Sequence, residues 1–240
     1  MARLALVTGG TRGIGEAISL ALQKKGYRVI ANYGGNDEAA RAFSDRTGIP
    51  AVKFDVSSYS AVEKAIGEIV AEHGAIEIVV NNAGITRDGT MHKMGPEQWQ
   101  AVIDTNLTSC FNVCRCVIES MRSQGFGRIV NIGSVNGQAG QYGQVNYAAA
   151  KSGIHGFTKA LAQEGAGKGI TVNAIAPGYI ATDMVRAVPE NVLEKIVARI
   201  PVGRLGEAEE IARGVVFLVA DEAAFITGST LSINGGQHMY

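Results

Sequence analysis

Short runs of β-branched and aliphatic residues alternate with longer amphipathic stretches along the chain, and this alternation limits the possible folds more than any other feature. The apolar runs predict strands over residues 4–8, 28–32, 51–55, 76–81, 128–133, 170–176 and 231–234. The amphipathic stretches predict helices over residues 14–25, 38–46, 60–73, 97–121, 146–168 and 207–220. Strands separated by helices of this length pair in parallel through right-handed crossovers, so both faces of the sheet are covered. The sequence therefore predicts an α/β fold, a single doubly wound domain over residues 1–240 with a parallel seven-stranded sheet.

One segment departs from this alternation. Residues 178–201 follow a predicted strand, carry Pro189 and Pro201, and contain a short amphipathic piece at residues 192–199. Ligands of doubly wound sheets bind at the carboxyl ends of the strands. A segment of this length beside that edge predicts a small lid.

Charge and hydrophobicity exclude several classes of partner. The 22 Lys and Arg residues balance 22 Asp and Glu residues, which gives no electrostatic reason to expect a nucleic acid or an anionic membrane. No apolar run is long enough to span a bilayer, and the first apolar run is too short for a signal peptide. We therefore expect a cytoplasmic protein.

The three cysteines lie close together in one predicted helix, at Cys110, Cys114 and Cys116. Their spacings of four and two residues point the thiols in different directions, and no histidine is near them. A structural metal site needs four converging ligands. We expect reduced thiols packed inside a helix, and no metal.

A glycine-rich segment joins the first predicted strand to the first helix, with Gly9, Gly13 and Gly15 among residues 8–15. Such glycines let the backbone turn sharply and approach a pyrophosphate, which then faces the amino end of the helix. A purely structural turn is the alternative, but the flanking strand and helix favour the dinucleotide-binding, or Rossmann, form of the fold.

The end of the second strand indicates which dinucleotide binds. An acid there would bind the ribose 2′-hydroxyl and repel a 2′-phosphate. The strand ends at Asn32 and Tyr33 without an acid, and Asp37 is placed in the first turn of the next helix. Arg12, in the glycine loop, and Arg41, in the next predicted helix, are candidates to bind the extra phosphate. We expect NADPH/NADP as the cofactor.

The chemically most specific set is Ser134, Tyr147 and Lys151. Tyr147 and Lys151 are four residues apart at the start of a helix and so share one face. A lysine ammonium one turn away favours the phenolate and should lower the pKa of Tyr147 toward neutrality. Ser134, just past the fifth strand, is positioned to donate a hydrogen bond to a substrate carbonyl. A surface Tyr–Lys pair is the alternative, which the glycine loop and Asn82-Ala83-Gly84 make untenable.

These motifs resemble those of the short-chain dehydrogenases/reductases, and the resemblance covers nearly the whole chain. It implies that Asn106 is a fourth catalytic residue, in a helix that bends to hold a proton-relay water. It also implies a homotetramer built through the helices at residues 97–121 and 146–168. The residues that it assigns to the cofactor are Gly9, Thr11, Arg12, Gly13, Ile14, Gly15, Tyr33, Asp55, Val56, Asn82, Ala83, Gly84, Ile85, Tyr147, Lys151, Pro177, Gly178, Ile180 and Thr182. Those that it places beside the substrate are Asp88, Ser134, Gln141, Tyr142, Gln144 and Tyr179.

Within this family the substrate-side segments most resemble the bacterial group that reduces acetoacetyl-CoA with NADPH in polyhydroxyalkanoate synthesis. That resemblance implies an acyl-CoA substrate and a (3R)-hydroxyacyl product. The alternative is reduction of 3-oxoacyl groups on the acyl carrier protein of fatty-acid synthesis, for which Arg128 and Lys168 are candidate contacts to an acidic carrier helix. A nucleotide-binding regulatory protein without catalysis is the alternative of a different class.

Overall fold

A computed structural model describes residues 2–182, 185 and 190–239 of the chain. Its single sheet has seven parallel strands in the order β3-β2-β1-β4-β5-β6-β7. The strands are β1 Leu4–Val7, β2 Arg28–Tyr33, β3 Ala51–Lys53, β4 Ile76–Asn81, β5 Gly127–Ile132, β6 Ile170–Pro177 and β7 Thr230–Ile233. The order reverses between β1 and β4, which creates the crevice where doubly wound proteins bind their ligands. The predicted doubly wound α/β fold is confirmed.

Helices connect successive strands and cover both faces of the sheet. They are α1 Gly13–Lys24, α2 Asp37–Thr47, α3 Tyr59–His73, α4 Pro96–Ile103, α5 Ser109–Gln124, α6 Val135–Ala139, α7 Val145–Ala166, α8 Glu190–Val197 and α9 Ala208–Val219. A π-helical turn, Asp104–Thr108, joins α4 to α5. Short 3₁₀ turns occupy Met91–Lys93 and Asp221–Ala223.

The core has two layers because consecutive strand side chains point to opposite faces. In β1, Ala5 and Val7 pack with α1, α2 and α9, while Leu4 and Leu6 pack with α3 and α5 on the other face. All four β1 residues are buried. Because both faces of the sheet are buried, the strand sequences are nearly continuous apolar runs. The close packing on both faces holds the strand ends in fixed positions.

Two local features differ from the sequence prediction. The single helix expected over residues 97–121 is interrupted by the π turn at Asp104–Thr108. The turn was not predicted because it hardly changes the spacing of apolar residues along the sequence. The helix α6, immediately after Ser134, was not predicted because a five-residue helix is too short to show a period.

The segment predicted as a lid is described only in part, because residues 183, 184 and 186–189, including Pro189, lie outside the described residues. Its helix α8 begins two residues before the predicted piece. The apolar side chains of α8 are at most partly buried. The segment is anchored at its base, where Ala181 donates to the Gly206 carbonyl (2.8 Å) and Gly206 donates to Tyr179 (2.9 Å).

The cysteines pack as expected, with Cys110 and Cys114 buried in α5 and all three thiols free. Burial raises the pKa of Cys110 to about 11. Within the described part of the chain, no group of His, Cys, Asp or Glu side chains is arranged to hold a metal ion. No helix in that part is both long enough and apolar enough to cross a membrane.

Candidate active site

A cavity of about 240 Å³ opens at the carboxyl ends of the central strands. It contains Ser134, Tyr147 and Lys151 together, although Ser134 follows β5 and the other two lie on α7. The remaining predicted residues that line it are Ile14, Asn82, Gly84, Ile85, Gln144, Pro177, Gly178, Tyr179, Ile180 and Thr182. The fold therefore brings the catalytic candidates and much of the predicted cofactor set to one place.

The glycine loop fits a bound dinucleotide. A Cβ atom on Gly15 would lie 2.0 Å from the Gly9 carbonyl oxygen, so the loop closes this tightly only with glycine at that position. Arg12 precedes α1 without a side-chain cap, and the first amides of the helix are left for an anionic ligand. Thr11, Gly13 and the exposed Arg12 lie on this loop and not in the cavity lining.

Asn82 fixes this loop against β4. Its Nδ2 atom donates to the carbonyl oxygens of Thr8 (2.9 Å) and Gly9 (3.1 Å). The Thr8 hydroxyl oxygen in turn accepts the backbone N–H groups of Asn82 (2.9 Å) and Ala83 (3.0 Å). The two segments that the sequence linked only by resemblance are therefore joined by four hydrogen bonds.

Three of the residues predicted to bind the cofactor lie at the ends of β2 and β3. Tyr33 is the last residue of β2, and Asp55 and Val56 follow β3. Asp55 Oδ1 accepts the backbone N–H (2.9 Å) and the hydroxyl (2.7 Å) of Ser57, which orients the carboxylate. Asp37 is the first residue of α2, as predicted.

Tyr147 is held as a protonated phenol. Burial raises the pKa of Tyr147, the hydrogen bond with Ser134 lowers it, and the charges of Asp88 and Tyr179 raise it further. The expectation that Lys151 lowers this pKa is not met, because the Lys151 Nζ donates to the Ile132 carbonyl (2.7 Å) and lies 5.7 Å from the phenol ring centroid. Burial lowers the pKa of Lys151 itself to about 8. A raised phenol pKa suits a group that donates a proton.

Asn106 lies in the π turn and is 1% exposed. Its Oδ1 accepts the Ile85 N–H (2.8 Å) and its Nδ2 donates to the Ile85 carbonyl (2.9 Å), so its side chain holds this cavity-wall residue. Single π turns inside α-helices are frequently found at functional sites. A Cβ atom on Gly84 would lie 3.3 Å from Asn106 Oδ1 and 3.7 Å from Lys151 Nζ, so the glycine keeps space open between the two polar side chains.

The predicted substrate residues divide into two groups. Gln144 and Tyr179 line the cavity with Ser134. Gln144 bridges two segments, since its Nε2 donates to Asp88 Oδ2 (2.9 Å) and its Oε1 accepts from Asn136 Nδ2 (2.9 Å). Asp88, Gln141 and Tyr142 are exposed and lie outside the cavity lining.

Two asparagines of the site were missed by sequence analysis. Asn136 lies two residues after Ser134 and lines the cavity, a position that the short helix α6 creates. Asn146 is fully buried; it accepts the Tyr147 N–H (2.8 Å) and donates to the Arg87 carbonyl (2.9 Å). In the sequence, Asn146 could have been recognised as a site residue only from its position directly before Tyr147.

Comparison with known proteins agrees with this geometry. Residues 9–238 match the model of the family described as enoyl-(acyl carrier protein) reductase. The chain belongs to the short-chain dehydrogenase/reductase family. As a short-chain dehydrogenase/reductase it is an enzyme that works with a nicotinamide cofactor.

Several short-chain dehydrogenases/reductases are similar to it over their full length. The chain is 65% identical over 239 residues to the acetoacetyl-CoA reductase of Rhizobium meliloti strain 1021, with 99% of each chain covered. It is 64% identical over 238 residues to the acetoacetyl-CoA reductase of Shinella zoogloeoides, again with 99% of each covered. The 3-oxoacyl-acyl-carrier-protein reductase of Escherichia coli strain K12 is 47% identical over 239 residues, which is 99% of this chain and 98% of its own.

Proposed function

We propose that the protein reduces acetoacetyl-CoA to (3R)-3-hydroxybutyryl-CoA with NADPH, in polyhydroxybutyrate synthesis. The observation that carries this proposal is the pairing of Ser134 and Tyr147 hydroxyls in one cavity, in a chain 65% identical to an acetoacetyl-CoA reductase. The cytoplasm, where both substrates would be available, is the proposed location.

Ser134 and Tyr147 act on the ketone oxygen. Both hydroxyls donate hydrogen bonds to it, which stabilises negative charge as it develops. NADPH, when bound, supplies the hydride that reduces the carbonyl carbon. Tyr147 then transfers its phenolic proton to the oxygen, and its raised pKa keeps that proton in place at neutral pH until the transfer occurs.

Lys151 and Asn106 support the proton supply. We assign to Lys151 the binding of the nicotinamide ribose hydroxyls and the return of a proton toward Tyr147. The open space beside Gly84, between Lys151 and Asn106, is suited to a water molecule that links the two. The π turn that holds Asn106 supports this assignment.

The preference for NADPH is supported by the end of β2. The strand ends at Tyr33 with no acid, and the exposed Arg12 precedes α1 without a capping role. A guanidinium beside the glycine loop is well suited to bind a 2′-phosphate.

The carrier-protein alternative is supported by the 47% identity to the Escherichia coli enzyme. One of its two candidate contacts is not available at the surface, because Arg128 is 4% exposed and its guanidinium packs 4.4 Å from the Phe126 ring centroid. Lys168 is exposed. This weakens the case for a basic patch that binds an acidic carrier helix, and the regulatory alternative is opposed by the complete set of catalytic side chains.

The substrate is tested by steady-state NADPH oxidation with matched thioesters. We expect acetoacetyl-CoA to be reduced at least about tenfold more efficiently, in kcat/KM, than the C8 3-ketoacyl-CoA, because each extra methylene must find room in the cavity. The acetoacetyl thioester of acyl carrier protein is the second comparison. Activity with the carrier-protein thioester alone would establish the fatty-acid alternative, and no turnover of any ketone would support the regulatory one.

Gln144→Ala tests the substrate side of the cavity. Removing the amide breaks the hydrogen-bonded link between Asp88 and Asn136 and takes away a polar group beside the proposed thioester site. We expect kcat/KM for acetoacetyl-CoA to fall about tenfold to a hundredfold, with the dissociation constant of NADPH unchanged. Gln124→Ala, at the exposed end of α5, is the matched control and should change neither quantity. An equal loss of NADPH binding in Gln144→Ala would contradict the assignment.

We further propose that the lid closes over bound substrate and that the protein is a homotetramer. The lid proposal is supported by α8, whose side chains Leu193, Ile196 and Val197 are only partly buried and so have apolar surface left to cover a ligand. The tetramer proposal is supported by Phe111, which leaves 52% of its surface exposed on α5.

A further inference from the structure

Three side chains converge beyond the end of β2, outside the cavity. Tyr33 and Lys53 are paired in register as the last residues of β2 and β3. The Lys53 Nζ lies 2.9 Å from Oδ1 and 3.0 Å from Oδ2 of Asp37, the first residue of α2. The Asp37 carboxylate also raises the pKa of Tyr33, after the larger effect of burial, so the tyrosine hydroxyl faces the same carboxylate. The ammonium group therefore contacts both oxygens of Asp37.

This cluster adjoins the glycine loop. The Gly9 N–H donates to Asn32 Oδ1 (3.2 Å), and the Gly10 N–H donates to the Asn32 carbonyl (2.9 Å). Asn32 directly precedes Tyr33, so the cluster lies at the end of β2, the part of a dinucleotide-binding fold that contacts the ribose 2′ position. A carboxylate in this region disfavours a 2′-phosphate by charge repulsion.

The ion pair between Lys53 and Asp37 contributes little to the stability of the fold. The Lys53 and Asp37 side chains are 50% and 59% exposed, and ion pairs this exposed contribute little to folding. Hydrogen bonds from Lys53 and Tyr33 lower the pKa of Asp37, so the carboxylate is ionised at neutral pH. A negative charge beside the phosphate site therefore persists unless a cation offsets it.

We propose that Lys53 determines the cofactor preference by neutralising Asp37, so that the 2′-phosphate of NADP can bind beside an acid. The proposal rests on the NADPH preference of the proposed function. Lys53 acts here through Asp37 and not by direct contact with the phosphate, because its ammonium is already engaged by both carboxylate oxygens.

The test is isothermal titration of the full-length protein with NADP⁺ and with NAD⁺, which needs no turnover. Lys53→Met should raise the dissociation constant of NADP⁺ about tenfold, as expected for one uncompensated charge near the ligand, and leave that of NAD⁺ nearly unchanged. Asp37→Asn added to Lys53→Met should restore NADP⁺ binding to within about threefold of Asp37→Asn alone. The Lys53→Met effect should shrink at 1 M salt, which screens charge over about 3 Å. Lys64→Met, on the exposed face of α3, is the matched control.

Each outcome is decisive. An unchanged ratio of the NADP⁺ and NAD⁺ dissociation constants in Lys53→Met overturns the proposal. A loss that Asp37→Asn does not restore also overturns it, since Lys53 would then contact the phosphate itself. If the unmutated protein binds NAD⁺ more tightly than NADP⁺, the cofactor assignment of the proposed function fails, while the change in ratio caused by Lys53→Met still tests the role of Lys53.

Discussion

Tyr147→Phe should lower kcat by roughly a hundredfold to ten-thousandfold, the range expected when a general acid is removed. The substitution deletes the phenolic hydroxyl that shares the cavity with Ser134 and keeps the ring. Because the ring still packs in the cavity, the dissociation constant of NADPH should stay within about twofold of the unmutated value. Single-turnover reduction and cofactor fluorescence measure the two quantities separately.

Tyr59→Phe is the matched control for this experiment. Tyr59 begins α3 on the outer surface, 38% exposed and outside the cavity lining, so the same atom is removed without consequence for turnover. A Tyr147→Phe enzyme that keeps more than about a tenth of the unmutated kcat would show that another group supplies the proton.

Lys151→Met should inactivate the enzyme and stabilise its fold. Lys151 is 4% exposed, and burial lowers its pKa from 10.5 to about 8, which corresponds to a folded-state cost of about 3 kcal/mol. Loss of the hydrogen bond to the Ile132 carbonyl offsets about 1 kcal/mol of that gain. We therefore expect the free energy of unfolding at pH 7 to rise by about 2 kcal/mol, measured by urea denaturation.

The pH dependence of this gain separates the charge from packing. In unmutated protein the cost of the buried ammonium is fully present below pH 8, where both folded and unfolded chains hold the proton. It falls as pH rises from about 8 toward 10.5, since the folded chain has then released the proton that the unfolded chain keeps. The stability difference between Lys151→Met and the unmutated protein should therefore close over this window.

Lys159→Met provides the reference for that comparison. Lys159 lies two turns further along α7 and is exposed, so its replacement should change stability by no more than about 0.5 kcal/mol at any pH. A Lys151→Met protein that is less stable than the unmutated one at pH 7 would mean that the site accommodates the charge without cost.

Lys151 is not the only buried polar residue near the cavity that costs stability. Ser134, Asn106 and Asn146 are buried polar residues whose hydrogen bonds are made mainly within the cavity wall. Such groups stabilise a fold less than apolar residues of the same size would. Ser134 follows β5, Asn106 lies in the π turn and Asn146 lies on α7, so the fold brings these polar groups from three elements to one cavity.

The local pattern predicted those parts of the site that depend on spacing along one element. The strand-to-helix glycine loop follows from an apolar run that ends in glycines before an amphipathic stretch, and the shared face of Tyr147 and Lys151 follows from the helical period of 3.6 residues. The strand ends could be located within about two residues for the same reason. Contacts between different elements could not be predicted from the sequence, so Asn136 and Asn146 were missed. For the same reason Gln141 and Tyr142 were predicted beside a cavity that they do not line.

The sequence by itself determined the doubly wound sheet, the glycine loop and the shared helix face of Tyr147 and Lys151, because each depends on residues close together in the chain. Only the tertiary structure decided their electrostatics. Whether Lys151 lowers the pKa of Tyr147 depends on the burial of both groups and on the Ile132 carbonyl, which belongs to a strand 19 residues away. Burial is a property of the packed core and not of spacing, so the raised pKa of Tyr147 became visible only once α7 was placed against the sheet.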